Sequence, residues 1–224
     1  MGVIVPAGGV GGRAGFALPK QFTLVGGVPL LLRSLRPFTA RGDVKLTVVP
    51  LPDEFAADPP QFLRDLLGER LVAVAGGNSR AESVRRGFEA IRAECDVVLV
   101  HDAARPFVSQ EVVDEILVRV RRGISCVAAV PMSDTVKMVG ADGITVERTV
   151  ERDCLWRAQT PQGFPAETLA ACYDSVSASE LAGLTDEATL VERCGGTVQV
   201  VRDDPGNVKL TTARDFEMAE AMLQ

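Results

Sequence analysis

Histidine is almost missing from this chain: His101 is the only one in 224 residues. Chemistry that moves protons through imidazole pairs therefore has little to work with, and no G-x-S-x-G element offers a serine nucleophile. The five cysteines (Cys95, Cys126, Cys154, Cys172 and Cys194) are odd in number, widely spaced and form no C-x-x-C pair. With one histidine beside them they cannot supply a standard zinc cluster, so reduced thiols in a cytoplasmic protein are expected. No apolar run approaches membrane-spanning length, and a strand expected from residue 3 leaves no room for a signal peptide. Internal repeats and low-complexity segments are also missing. Acid is absent before Asp43, whereas Arg13, Lys20, Arg33, Arg36 and Arg41 all precede it, in a chain of formal net charge −6. That overall acidity, with no basic stripe beyond the front end, excludes a general nucleic-acid binder. The front end itself suits an anion.

What is present is an ordinary apolar content of 46% in a chain long enough to bury roughly 70–75% of its unfolded surface. One large α/β domain, or one domain with an excursion, accounts for that length. Short β-branched runs at Val3–Val5, Leu46–Val49, Leu71–Ala75, Val97–Val100 and Cys126–Val130 read as buried strands. Between them, Leu30–Phe38 reads as a helix entered at Pro29, Ser79 with Glu82 as a capping box, and Ser109 as the cap of a helix ended by Gly123. Residues 53–61, rich in Pro and Asp, are expected to form an exposed surface connection. This alternation predicts a mostly parallel sheet covered on both faces. The rhythm breaks after residue 130. Thr135–Val139 and Ile144–Val150, joined by Gly140-Ala141-Asp142-Gly143, predict a hairpin that must pack on something, and we read it as an arm clasping a second subunit. Arg157–Gln162, a capped helix from Thr185-Asp186-Glu187, a strand at Val198–Val201, an extended piece at Asn207–Leu210 and a helix capped by Thr212 complete the chain.

The glycine loop behind the first strand invites two familiar names. Gly9-x-Gly11-x-x-Ala14 fits the dinucleotide pattern, but Gly12, Gly15 and Pro19 oppose the helix that pattern needs, and no acid lies about 20 residues on. A Walker loop fails too, since Pro19 precedes Lys20 and Gln21 follows it. What remains is a loop offering backbone N–H groups to phosphates, with Arg13 and Lys20 as discrete cations or as solvated surface residues. Asp102, at the carboxyl end of a buried strand, either holds Mg²⁺ through oxygen or pairs with Arg105 to stabilise the turn. His101 reads as a packed turn residue rather than a base. Gly76-Gly77-Asn78-Ser79-Arg80 and Thr185-Asp186-Glu187 read as helix entries or as ligand contacts.

Taken in order, Pro6-Ala7-Gly8-Gly9-x-Gly11-x-Arg13, Pro19-Lys20-Gln21, Gly76-Gly77-x-x-Arg80, His101-Asp102-Ala103-Ala104-Arg105-Pro106, Thr160-Pro161-Gln162, Thr185-Asp186-Glu187-Ala188 and Asn207-Val208-Lys209 resemble one family over residues 3 to about 222. That family is the 2-C-methyl-D-erythritol 4-phosphate cytidylyltransferases of the non-mevalonate isoprenoid pathway. Gly8 departs from the second alanine usual there, and Asn78 from an acid. The resemblance implies a Rossmann-like α/β fold of the nucleotide-diphospho-sugar transferase type, one domain over residues 1–224 with 133–155 as a dimerisation arm, and a homodimer. It implies CMP transfer from CTP to 2-C-methyl-D-erythritol 4-phosphate with Mg²⁺. Arg13 and Lys20 would then stabilise the α-phosphate, Asp102 hold the metal, and Arg152 and Lys209 grip the incoming phosphate, Arg152 reaching the neighbouring subunit's site. Thr185 would meet the methylerythritol portion, and Ala7, Gly8, Gly77, Asn78 and Ser83 the cytidine. Gly9, Gly11, Ala103, Arg105, Thr135 and Thr160 join the substrate-binding set. A cytidylyltransferase for another polyol phosphate, such as ribitol 5-phosphate, and a dinucleotide oxidoreductase are the alternatives.

Overall fold

The computed structural model describes residues 1–8 and 19–223. In chain order the described elements are β1 (Gly2–Ile4), a 3-10 turn at Lys20–Phe22, β2 (Leu24–Val25), β3 (Val28–Pro29), α1 (Leu30–Thr39), β4 (Leu46–Leu51), α2 (Asp53–Ala57), α3 (Gln61–Arg64), β5 (Leu71–Ala75) and α4 (Arg80–Ile91). There follow β6 (Val97–Val100), α5 (Gln110–Val120), β7 (Ser125–Pro131), β8 (Val136–Val139), β9 (Val146–Val150) and β10 (Trp156–Pro165). The chain closes with α6 (Ala166–Ser175), α7 (Ala178–Ala182), α8 (Glu187–Arg193), β11 (Val198–Arg202) and α9 (Ala213–Met222).

Seven strands form one sheet in the order β11-β7-β10-β6-β1-β4-β5. β10 alone runs antiparallel to its neighbours β6 and β7, and the remaining pairings are parallel. The mostly parallel sheet expected from the alternating runs is therefore what forms. Side chains alternate faces along each strand. Val3 and Val5 of the first run, with Val97 and Leu99 of β6, join α1 and α5 through Leu31, Leu35, Phe38, Val113 and Ile116. Ile4, Val98 and Val100 point the other way and pack on α4, α6 and α8 through Val84, Phe88, Leu169 and Leu190. At Gly87 a Cβ would stand 2.7 Å from Ile4 Cγ2, so only glycine lets α4 lie this close to the sheet.

Two expectations need correction, and one extended piece stays outside the sheet. Residues 53–61 are not a bare surface connection, because α2 and α3 begin just after Pro52 and Pro60, with Asp53 and Glu54 in the first turn of α2. They cover Phe22, whose ring meets Phe55 edge-on at 4.9 Å and Phe62 at 5.6 Å. Asn207–Leu210 joins no sheet: a turn from Asp204 precedes it, and the Leu210 N–H bonds the Ala104 carbonyl. At the start of α4, Ser79 does accept from the Glu82 N–H, but the Glu82 carboxylate bonds the Asn78 N–H instead of closing the box on Ser79.

The hairpin forms as expected, with Val136 opposite Val150 and Lys137 opposite Thr149. Its turn is tied by Asp142 Oδ1, which accepts from the N–H groups of Ile144 and Thr145 at 2.9 Å each. Gly143 there has φ +69°, a conformation glycine adopts without strain. β8 and β9 make a sheet of their own, and Ile144 at its tip is 83% exposed.

Candidate active site

The parallel strands end along one edge of the sheet, which is where open α/β sheets receive ligands. Behind β1 lie Ala7 and Gly8, behind β5 Gly76–Asn78, and behind β6 His101 and Asp102. Because β10 is reversed, its first half brings Gln159 and Thr160 to the same edge, and the segment after β11 adds Asn207 and Lys209. Gly9, Gly11 and Arg13 lie outside the described residues.

Asp102 is the hub. Its Oδ1 accepts from Arg80 Nε at 3.0 Å and its Oδ2 faces Lys209 Nζ at 2.7 Å, with Arg105 Nε at 3.9 Å. Burial by itself would raise this carboxyl, but the charges of Arg80 and Lys209 outweigh it and hold it far below the usual carboxylate range. Arg80 also donates through Nη1 to Glu187 Oε2 at 2.8 Å. The contact with Arg105 alone expected for a structural Asp102 is thus the longest of three. Lys20 Nζ donates to the Leu210 carbonyl at 3.0 Å, next to Lys209 in sequence. Three cations, Lys209, Arg80 and Arg105, thereby gather around Asp102, Arg80 reaching Glu187 as well, and Lys20 is anchored one residue beyond Lys209.

His101 is fully buried, and the hydrogen-bond pattern assigns its tautomer. Nε2 lies 2.9 Å from the Arg105 carbonyl, which can only accept, so Nε2 carries the proton. Nδ1 then accepts from the Thr160 hydroxyl at 3.1 Å, and that hydroxyl accepts from the Asp102 N–H at 3.0 Å. Burial pushes the imidazole down to about 4, so the ring is neutral and spent on holding the turn. Thr160, expected among substrate contacts, has its hydroxyl engaged between His101 and Asp102.

Among the described residues five buried side-chain polar atoms lack a hydrogen-bond partner, and three sit together: Arg105 Nε, Gln159 Oε1 and Asn207 Oδ1. Arg105 Nη1 and Gln159 Nε2 both donate to the Asn207 carbonyl, at 2.6 and 2.9 Å. Asn207 Nδ2 is shared between the Thr160 carbonyl and Asp203. Arg105 Nε is a donor and the two amide oxygens are acceptors, so the trio suits a ligand that brings hydroxyl or N–H donors as well as an acceptor oxygen.

The loop behind β5 is fastened by Ser83, whose Oγ accepts from the Gly77 N–H at 2.9 Å and donates to the Ser79 carbonyl at 2.8 Å. A Cβ at Gly77 would fall 2.3–2.5 Å from Glu82 atoms, so the loop requires glycine there. A Cβ at Gly8 would meet only Ser83 Oγ, at 3.3 Å, which fits either glycine or alanine with a small adjustment. Ala7 is fixed by its carbonyl, which accepts from Gln21 Nε2 at 2.6 Å. Ala103 is fixed likewise, its carbonyl accepting from Ser34 Oγ at 2.9 Å. Asn78 is exposed, as is Thr185 just before α8. Gln162 clamps that helix start, donating to Asp186 and accepting from the Ala188 N–H. Arg152 and Thr135 lie apart from this cluster at the base of the arm, where Arg152 Nη1 donates to the Ser133 carbonyl.

The residues offer no metal cage: no group of three or more His, Cys, Asp or Glu side chains is arranged for one among the described residues. A hard divalent cation bound to a triphosphate needs less, since phosphate oxygens and water complete its shell around one carboxylate. Asp102 fits that role, because Lys209, the partner on Oδ2, is a flexible side chain 41% exposed. Arg80, Glu187, Asn207 and Gln159 are given no individual site role by the sequence, although Arg80 and Glu187 stand in segments read as helix entries or ligand contacts. The first three stand inside the matched blocks, which was their signal, whereas Gln159 had none.

The family model for 2-C-methyl-D-erythritol 4-phosphate cytidylyltransferase matches residues 1–224. A protein of that name from Symbiobacterium thermophilum is 40% identical over 227 residues, covering 99% of this chain and 92% of its own length. Another, from Geobacter metallireducens, is 39% identical over 230 residues, covering 99% and 96%. The crystal structure of 2-C-methyl-D-erythritol 4-phosphate cytidylyltransferase from Thermus thermophilus matches with a TM-score of 0.81 at 33% identity, covering 99% of this chain and 97% of that one. The order of the sequence blocks, the sheet that gathers them on one edge and these relatives agree: the chain belongs to the 2-C-methyl-D-erythritol 4-phosphate cytidylyltransferase family.

Proposed function

We propose that this chain performs the reaction its family is named for, with the labour divided among the residues at the carboxyl edge of the sheet. The phosphate of 2-C-methyl-D-erythritol 4-phosphate attacks the α-phosphorus of CTP, the bond from that phosphorus to the bridging oxygen breaks, and pyrophosphate leaves. The products are 4-diphosphocytidyl-2-C-methyl-D-erythritol and pyrophosphate. A phosphate is already ionised at neutral pH, so no general base is required. That agrees with His101 being neutral and hydrogen-bonded on both nitrogens. The difficulty is bringing two anions together, and catalysis is by positioning and charge stabilisation. The gathering of Lys209, Arg80 and Arg105 around Asp102, with Lys20 on the Leu210 carbonyl next to Lys209 in sequence, carries this reading.

Lys20, with Arg13, stabilises charge on the α-phosphate. Lys209 and Arg105 receive the incoming phosphate, with Thr185 beside the methylerythritol portion. Ala7, Gly8, Gly77, Asn78 and Ser83 form the cytidine contacts. Asp102 would hold Mg²⁺, which supplies neutralisation of the triphosphate charge when bound. The arm at 133–155 pairs two copies of the chain, and Arg152 at its base, with Thr135, serves the partner's site. Five free cysteines support a cytoplasmic setting, and among the described residues no helix is long and apolar enough to cross a membrane.

Pyrophosphate release from CTP, measured beside one another with 2-C-methyl-D-erythritol 4-phosphate and with ribitol 5-phosphate, tests the reading. Turnover confined to the methylerythritol substrate is expected. Release with ribitol 5-phosphate at an equal or higher rate would replace it with another polyol phosphate.

A further inference from the structure

We propose that Glu187 is a positioning residue for Asp102, acting through Arg80 by dividing that guanidinium between two carboxylates. The inference rests on Asp102 as the cation-holding carboxylate of the site above.

A guanidinium meeting one carboxylate prefers the two-pronged pairing that uses both oxygens. Arg80 does not do this. Its Nε goes to Asp102 Oδ1 and its Nη1 to Glu187 Oε2, at 3.0 and 2.8 Å. Glu187 therefore occupies the prong that would otherwise close on Asp102, and Oδ2 of Asp102 is left to Lys209. Lys209 is half-exposed on a flexible stem, whereas Glu187 is 2% exposed and fixed. A carboxylate buried that deeply is stable only with a partner, and Arg80 is the partner. Burial raises the Glu187 carboxyl, and Arg80 offsets part of that rise.

The anchor itself is rigid. Glu187 is the first residue of α8, behind the cap made by Asp186, which accepts from the Thr189 N–H at 2.8 Å. Gln162 of β10 bonds both Asp186 and the Ala188 N–H, one residue to each side of Glu187. Leu190 and Val191 seat the helix in the core. Glu187 thus ties α8, the start of α4 and the end of β6 into one chain of charges. Loss of its charge frees Arg80 to grip both oxygens of Asp102, where it competes with a divalent cation.

The test reads binding rather than turnover. Mn²⁺ is titrated by electron paramagnetic resonance into protein with CTP and no second substrate, for wild type, Glu187→Gln, the double variant Arg80→Met/Glu187→Gln, and Asp102→Asn. Glu187→Gln is expected to weaken Mn²⁺ roughly 10–100-fold, the usual effect of removing a partner behind a metal ligand. The double variant is expected to bind more tightly than Glu187→Gln, because the competing guanidinium is gone. A purely structural Glu187 predicts no such recovery. A folded Glu187→Gln with an unchanged Mn²⁺ Kd, or a double variant weakened as much as the single one, overturns the proposal while leaving Asp102 in place. Unchanged binding by Asp102→Asn overturns the assignment of Asp102 and this inference with it. Should circular dichroism find Glu187→Gln unfolded, Glu187→Asp replaces it: the shorter carboxylate keeps the charge but not the reach, and an unchanged Kd there again overturns the proposal.

Discussion

His101 and Asp102 are adjacent in the chain, yet their surroundings treat the two charges in opposite ways. The imidazole is sealed between a carbonyl and a hydroxyl and is denied a second proton, whereas the carboxylate is ringed by cations and keeps its charge. The buried imidazole makes stability depend on pH. An unfolded histidine titrates at 6.5, and burial takes His101 down to about 4. Between those values the unfolded chain binds a proton that the folded chain does not, so stability rises with pH and is lost as pH falls through this window. The full difference is worth about 3 kcal/mol. Urea unfolding at pH 7 and pH 5, which spans part of that window, is expected to show a loss of about 2 kcal/mol for wild type and a smaller one for His101→Gln. On the proposal that Lys20 acts by charge at the reacting centre, Lys20→Ala is expected to lower kcat by about three orders of magnitude with little change in CTP affinity. Equal loss in binding with kcat intact would remove it from the chemistry.

The start of α4 is an element whose function depends on a fastening inside it. Ser83 lies one turn into the helix and reaches back to the Gly77 N–H, so the loop proposed to meet the cytidine is held by the helix that follows it. Ser83→Ala leaves that N–H without its acceptor and is expected to cost about 1–3 kcal/mol. A raised KM for CTP with kcat nearly unchanged would accompany it, measured by steady-state kinetics. The capped helix and the glycine pair were readable in the sequence, because Ser79 at a strand end before an apolar stripe has a local cause. The use of Ser83 as a fastener was not, since a serine inside a helix has many partners within reach. The two short helices after Pro52 were also hidden. Their composition reads as surface, and only Phe22, 33 residues upstream of Phe55, supplies the reason for them to fold.

Across the whole molecule, basic residues outnumber acidic ones before Asp43 although the chain carries a net charge of −6. The fold turns that asymmetry into a site by bringing Lys209, from the far end of the chain, to Asp102 and to the neighbourhood of Lys20. If the arm places Arg152 in the partner's site, mixed dimers of Lys20→Ala and Arg152→Ala subunits retain one intact site in which both residues are present. Part of the wild-type activity is then expected in purified heterodimers, and none in either parent. Heterodimers as inactive as the parents would separate Arg152 from catalysis. By itself the sequence determined the alternating strands and helices, the hairpin and the order of the family blocks, because hydrophobic period, caps and turn residues act over a few neighbours. Tertiary structure alone decided which charges meet. The partition of Arg80 between Asp102 and Glu187 spans 22 and 107 residues of chain, and the reversed β10 that brings Thr160 under His101 depends on sheet order. Neither distance leaves a local trace, since an ion pair is set by where two elements end and not by what lies between them.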